Sequence, residues 1–133
     1  MKIIILCLFL LNFLSANLLQ EAINNAPEGS VLKLPKGVYK GSIIINKPLS
    51  IIGKEDGVII DGGGIGTVIQ ITSSYVTLKN LTITGSGNRH DLLDSAIKIN
   101  NSKQSEISNC IIKDSLFGID ITMTNNSIFS NNY

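Results

Sequence analysis

Apolar and polar residues alternate along this chain in very short runs, such as Val76-Thr77-Leu78, Leu81-Thr82-Ile83, Ile97-Lys98-Ile99 and Ile119-Asp120-Ile121. A period of two marks strands with one face buried, and the β-branched content of these runs agrees with that reading. Asn, Ser and Gly separate the runs, and no helix-length apolar pattern lies between them. Two motifs recur at one offset. Ala96-Ile97-Lys98-Ile99 returns 22 residues on as Gly118-Ile119-Asp120-Ile121, and Ser105-Glu106-Ile107-Ser108-Asn109 returns as Ser127-Ile128-Phe129-Ser130-Asn131. Self-similarity at about 20 to 30 residues marks a solenoid, whose units bury their apolar faces against one another. Three short strands and three turns in a period of about 22 residues predict a right-handed parallel β-helix of about five coils. Its strands would stack at about 4.8 Å. The Leu-x-x-Leu-x-Leu frame of a leucine-rich repeat is missing.

The same alignment predicts which side chains point inward: Val76, Leu78, Leu81 and Ile83, then Ile107, Cys110 and Ile112 one coil later. An asparagine sits between the two apolar pairs each time, at Asn80, Asn109 and Asn131. Asparagine tolerates the left-handed backbone of a sharp corner, and its amide can bond the next amide in a stack. These three residues are therefore expected to form a structural column rather than a chemical site.

The chain before the coils divides in two. Residues 1–16 carry Lys2, an apolar run from Ile3 to Leu14 broken by Asn12, and the small-residue end Leu14-Ser15-Ala16. That is the form of a secretory signal, too short to span a membrane, and it predicts export to a bacterial periplasm. Residues 17–29 hold apolar groups at helical spacing in Leu18-Leu19-Gln20-Glu21-Ala22-Ile23 and stop at Pro27-Glu28-Gly29. This short helix would cap the open end of the first coil. The coils then occupy residues 30–133 and are expected to stop partway, leaving the last one uncovered. Cys7 belongs to the signal and Cys110 to the core, so no internal disulfide is expected.

Composition narrows the chemistry. Without Lys2 the charges balance, ten basic against ten acidic, which gives no field to attract nucleic acid or a charged membrane. Tryptophan is absent, and Tyr39, Tyr75 and Tyr133 are scattered. The Asp61-Gly62-Gly63-Gly64 run lacks the lysine and helix of a phosphate loop. The repeat breaks once, because Asn80 and Asn109 lie 29 residues apart. An insertion of about seven falls within residues 85–95, which contain the chain's one arginine, Arg89, and one histidine, His90. Loops leaving a rigid scaffold often carry binding residues, so His90, Asp91 and Asp94 are weak metal or partner candidates. A solvated loop with a capping aspartate accounts for them more simply. Soft copper would want thiolate, thioether or several imidazoles, and nothing in the sequence places Cys110 or Met123 beside His90.

Several motifs together resemble the NosD family, periplasmic β-helix proteins of nitrous oxide reductase maturation. They are Leu19-Gln20-Glu21-Ala22-Ile23, Leu34-Pro35-Lys36-Gly37-Val38-Tyr39, Ile60-Asp61-Gly62-Gly63-Gly64, Val76 through Ile83, the Gly85-Ser86-Gly87 insertion running to Ile97, and Leu116-Phe117-Gly118-Ile119. The resemblance implies a maturation factor and not an enzyme. It would help assemble a copper-sulfide centre with an ABC-type ATPase and a membrane permease, in partnership with nitrous oxide reductase. It implies copper only by association, since no cofactor is evident in the residues themselves. The alternative is a carbohydrate-binding or polysaccharide-degrading β-helix module, and a third reading is a structural or adhesive surface fragment. Glycoside hydrolysis needs paired carboxylates, and Asp61, Asp91, Asp94, Asp114 and Asp120 are isolated or confined to the insertion. Lys98 and Asp120, outward on adjacent coils, are expected to form a surface ion pair.

Overall fold

The period-two runs form strands wound into a stacked coil. The computed structural model describes residues 3–5 and 18–133. Along the chain come β1 (Ile3–Ile5), α1 (Leu18–Asn25), β2 (Ser30–Leu34), β3 (Gly37–Lys40), β4 (Ile43–Ile45), β5 (Leu49–Gly53), β6 (Val58–Asp61) and β7 (Ile69–Ile71). They are followed by β8 (Val76–Lys79), β9 (Thr82–Thr84), β10 (Ser95–Lys103), β11 (Glu106–Ser108), β12 (Ile111–Lys113), β13 (Phe117–Asn125) and β14 (Ile128–Ser130). Successive strands join three different sheets in rotation. One sheet runs β1-β2-β5-β8-β11-β14, a second β3-β6-β9-β12 and a third β4-β7-β10-β13, and the pairing is parallel in all of them. The fold is a right-handed parallel β-helix with a short N-terminal helix.

The core is a set of aligned columns. In the first sheet Leu32, Ile51, Leu78 and Ile107 lie in register, each essentially inaccessible to solvent. Tyr39, Ile60 and Ile83 form a second column, and Ile43, Ile69 and Ile97 a third. Burial pushes the Tyr39 phenol up to about 12, and its hydroxyl donates to the Pro35 carbonyl at 2.6 Å. Stacking apolar residues at strand spacing gives continuous dispersion contact, the parallel-sheet form of a packed core. The columns become half-exposed at the last coil, where Ile112, Ile119 and Phe129 are only partly buried.

At the opposite end α1 closes the core with Leu19 and Ile23, helped by Ala26 just after it. The Gln20 side chain finishes the closure by imitating a strand. Its Oε1 accepts from the Ile44 N–H at 2.7 Å and its Nε2 donates to the Ile44 carbonyl at 3.0 Å, satisfying backbone groups on the outer edge of β4. Lys47 Nζ donates to the carbonyls of Asn24 and Ala26 at 3.0 and 2.7 Å, supplying the positive charge a helix C-terminus favours.

A uniform period of 22 needs correction. Ile43 pairs with Ile69, 26 residues on; Ile69 with Ile97, 28 on; and Ile97 with Ile119, 22 on. The coils share their strands but not their corners, and corner length is free to vary because loops leave the packed scaffold. The residues read as a secretory signal lie outside the described ones, save Ile3–Ile5, which pair with Val31–Lys33. Among the described residues no helix is long and apolar enough to cross a membrane.

Candidate functional site

The corner between the second and third sheets carries the irregular loops. Residues 85–94 stand where residues 114–116 stand one coil later, which is the seven-residue insertion read from the sequence. Residues 62–68 bulge at the same corner one coil earlier. The two bulges are bonded to each other. Gly64 N–H donates to the Gly85 carbonyl at 2.8 Å, Gly87 N–H to the Gly66 carbonyl at 2.7 Å, and Ser95 N–H to Thr67 Oγ1 at 3.2 Å. The next coil holds the longer loop from the other side, with Leu116 N–H donating to Ser86 Oγ at 2.9 Å and Phe117 N–H to the Asp94 carbonyl at 3.3 Å. Gly87 is required by close approach, since a Cβ there would run into the Asp94 carboxylate and the Gly66 nitrogen.

Asp94 anchors this loop. Its carboxylate is 2% exposed and accepts from Arg89 three times, from the backbone N–H at 3.0 Å, Nε at 3.1 Å and Nη2 at 3.2 Å. The Arg89 side-chain bond, opposed by desolvation, holds the Asp94 carboxyl below its ordinary range; the same contact raises Arg89. Of the metal candidates named from sequence, Asp94 is thus committed to Arg89. Asp91 is exposed, and His90 stands edge-on to Phe117 with ring centroids 6.1 Å apart. Among the described residues no three His, Cys, Asp or Glu side chains are grouped to hold a metal ion. Cys110 is buried in the core with its thiol raised by desolvation, and Met123 is exposed on β13, so the soft ligands are not brought together.

Beside the loop lies the outer face of the third sheet. Ile44, Gln70, Lys98 and Asp120 form one outward row across β4, β7, β10 and β13, with Asn100 beside Thr122 in the next row. Lys98 and Asp120 are neighbours in register, but the expected ion pair is not made. Lys98 Nζ turns back to the loop and donates to the Leu92 carbonyl at 2.9 Å. A carbonyl fixed by the loop holds the ammonium without the entropic cost of ordering two long side chains. The ion pairs among the described residues are Lys40–Asp61 at 3.9 Å and Arg89–Asp94.

The asparagine corner joins the first and second sheets. Asn80, Asn109 and Asn131 have φ of 59°, 52° and 53°, the left-handed backbone of a sharp turn. Their amides do not bond one another. Asn80 Nδ2 donates to the Gly53 carbonyl at 3.0 Å, and the coils are tied by backbone bonds from Asn80 N–H to Ser108 and from Asn109 N–H to Ser130. Asn132, which sequence reasoning passed over, closes the last corner: its Oδ1 accepts from Cys110 N–H at 3.0 Å and its Nδ2 donates to Ile107 at 2.9 Å. The adjacent pair Asn131-Asn132 was the available signal. A shallow groove follows this corner, lined by Asp56, Gly57, Asn80, Leu81, Thr82, Asn109 and Ile111.

No family model matches the sequence, and no curated protein matches it. Solved structures do. A pectin methylesterase variant in complex with a hexasaccharide is 15% identical with a TM-score of 0.66, over 84% of this chain and 44% of that one. An alginate lyase of the PL6 family is 21% identical with a TM-score of 0.55, over 87% of this chain and 19% of that one. The pectin methylesterase from Aspergillus niger is 13% identical with a TM-score of 0.52, over 85% and 52%. The chain thus spans less than half the length of the first of these. Nothing in these comparisons names the NosD family. The expectation of a non-enzyme is corrected by them, since the structures that share this fold are enzymes, named for pectin and alginate. At such identities the likeness establishes the fold, a parallel β-helix.

Proposed function

We propose that this chain belongs to an exported β-helix protein that binds and acts on a polysaccharide, with the ligand on the outer face of β4-β7-β10-β13. The observation that carries the reading is the outward row Gln70, Lys98 and Asp120, with an amine and a carboxylate on adjacent strands that do not neutralise each other. Parallel strands about 4.8 Å apart present one functional group per coil, so an extended polymer lying across them meets an amide, a cation and a carboxylate in turn. Lys98 suits an anionic sugar unit, and Asp120 is placed to accept or deliver a proton. The bonded loops 62–68 and 85–94 wall one side of this face, with Arg89 half-exposed on the wall. The fold neighbours add support, one of them holding a hexasaccharide.

The test is direct. Full-length protein run in gels containing pectin, alginate or a neutral glucan is expected to be retarded by the acidic polymers, and less so after Lys98→Ala. Asp120→Asn is expected to retain binding and lose any release of methanol or unsaturated sugar. Unchanged mobility in both acidic polymers would overturn the proposal. A maturation role like that of NosD would show instead as stoichiometric cuprous-ion uptake without polysaccharide binding.

A further inference from the structure

The groove at the asparagine corner lies between the first and second sheets, away from the face just described. Its apolar part is Ile111, about half-exposed, over the buried Leu81, with Thr82 beside them. Its rim is polar. Asn80 spends its amide N–H on Gly53 and keeps its carbonyl oxygen, while the Asn109 amide bonds no group among the described residues. Asp56 adds a carboxylate that takes part in neither ion pair among the described residues. The lining residues come from three successive coils, so the groove runs along the solenoid axis. Asn80 and Asn109 occupy equivalent corners of neighbouring coils, about 4.8 Å apart by strand spacing.

We propose that this groove is a second binding site, for a neutral saccharide chain. An amide beside a carboxylate accepts and donates to neighbouring hydroxyl groups, and the half-exposed Ile111 side chain meets the C–H face of a pyranose. No cation lines the groove and one carboxylate does, which disfavours the acidic sugars suited to Lys98. An extended peptide is disfavoured too. β8 and β9 are each paired on both sides, so the groove offers no free strand edge for a peptide backbone to extend. The site does not depend on the reading of the Lys98 face, and the experiment separates the two.

Full-length protein is titrated with cellohexaose, xylohexaose and mannohexaose, following amide signals of residues 80–82 and 109–111. The expected result is saturable binding of at least one of them at millimolar concentration. Asn109→Gly keeps the left-handed corner, because glycine accepts its φ of 52°, yet removes the amide; it should weaken binding about fivefold to tenfold with the thermal midpoint nearly unchanged. Ile111→Ser, on a half-exposed strand position, should weaken it similarly. Lys98→Ala and Asp120→Asn should leave it unaltered. Absence of binding to all three sugars, binding indifferent to Asn109→Gly and Ile111→Ser, or binding lost in Lys98→Ala would each overturn the proposal.

Discussion

Replacing Leu78 by alanine removes the middle of a column. Leu78 has no solvent exposure and lies in register between Ile51 and Ile107, both also inaccessible. Its strand is bonded on both sides, to β5 and β11, so the walls of the resulting cavity have little freedom to collapse. Leu→Ala at such a site costs about 2–5 kcal/mol, and restricted collapse places this case in the upper half of that range. The neighbouring Thr77 points outward on the same strand, and Thr77→Ala is expected to stay within about 0.5 kcal/mol of the parent. Phe129, at the half-exposed end of the column, should cost less than Leu78 despite its larger ring. Urea unfolding by circular dichroism measures all three, with a check that m is unchanged before midpoints are compared. Because a solenoid can unfold coil by coil, amide exchange of Ile51 and Ile107 should lose protection together with residue 78. If Leu78→Ala and Thr77→Ala shift the midpoint equally, the inward and outward assignments, and with them the stacked columns, are wrong.

Other perturbations probe the loops and the core thiol. Gly87→Ala pushes a methyl into the Asp94 carboxylate and the Gly66 nitrogen, and should cost about 1–3 kcal/mol while exposing residues 85–94 to proteolysis in a timed digestion. Because the Asp94 pKa is lower in the folded protein, its contribution is complete above the ordinary value of 3.8 and is lost as pH falls below it through the folded value. The Arg89 Nε chemical shift should therefore hold at neutral pH and move toward that of a free guanidinium as acid protonates Asp94, a transition that Asp94→Asn should abolish. Cys110, buried with a raised pKa, should react with a thiol reagent only through opening of the coil that carries residues 128–133, at a rate that rises with urea.

Where the sequence was readable, one physical rule sufficed. Alternation at period two settled the inward residues, because a strand in a solenoid has one buried face; Val76, Leu78, Leu81, Ile83, Ile107 and Cys110 are all buried. Left-handed geometry at Asn80, Asn109 and Asn131 was legible for a similar local reason. What escaped depended on distant partners. Nothing local in residues 62–68 reveals that Gly64 and Gly66 bond the 85–94 loop. Asp94 stood as a weak metal or partner candidate beside the plainer reading of a capping aspartate, because sequence does not show that Arg89 folds back over it. Lys98 and Asp120 were correctly set side by side, but the competing Leu92 carbonyl belongs to a loop whose path only the fold defines. Ser102 and Ser105 are polar and yet buried, since their hydroxyls bond each other at 2.7 Å and Ser105 accepts from the Val76 N–H. Polarity alone would place such serines outside.

Binding of an acidic oligosaccharide to the parent and to Lys98→Ala, measured by calorimetry at low and at high salt, bears on the proposed ligand face more closely than any other experiment. The parent should bind oligogalacturonate or oligoalginate, with affinity falling as salt screens Lys98, and Lys98→Ala should bind more weakly with a shallower salt dependence. Equal affinity and equal salt dependence in the two proteins would contradict the placement of a polysaccharide on the outer face of β4-β7-β10-β13.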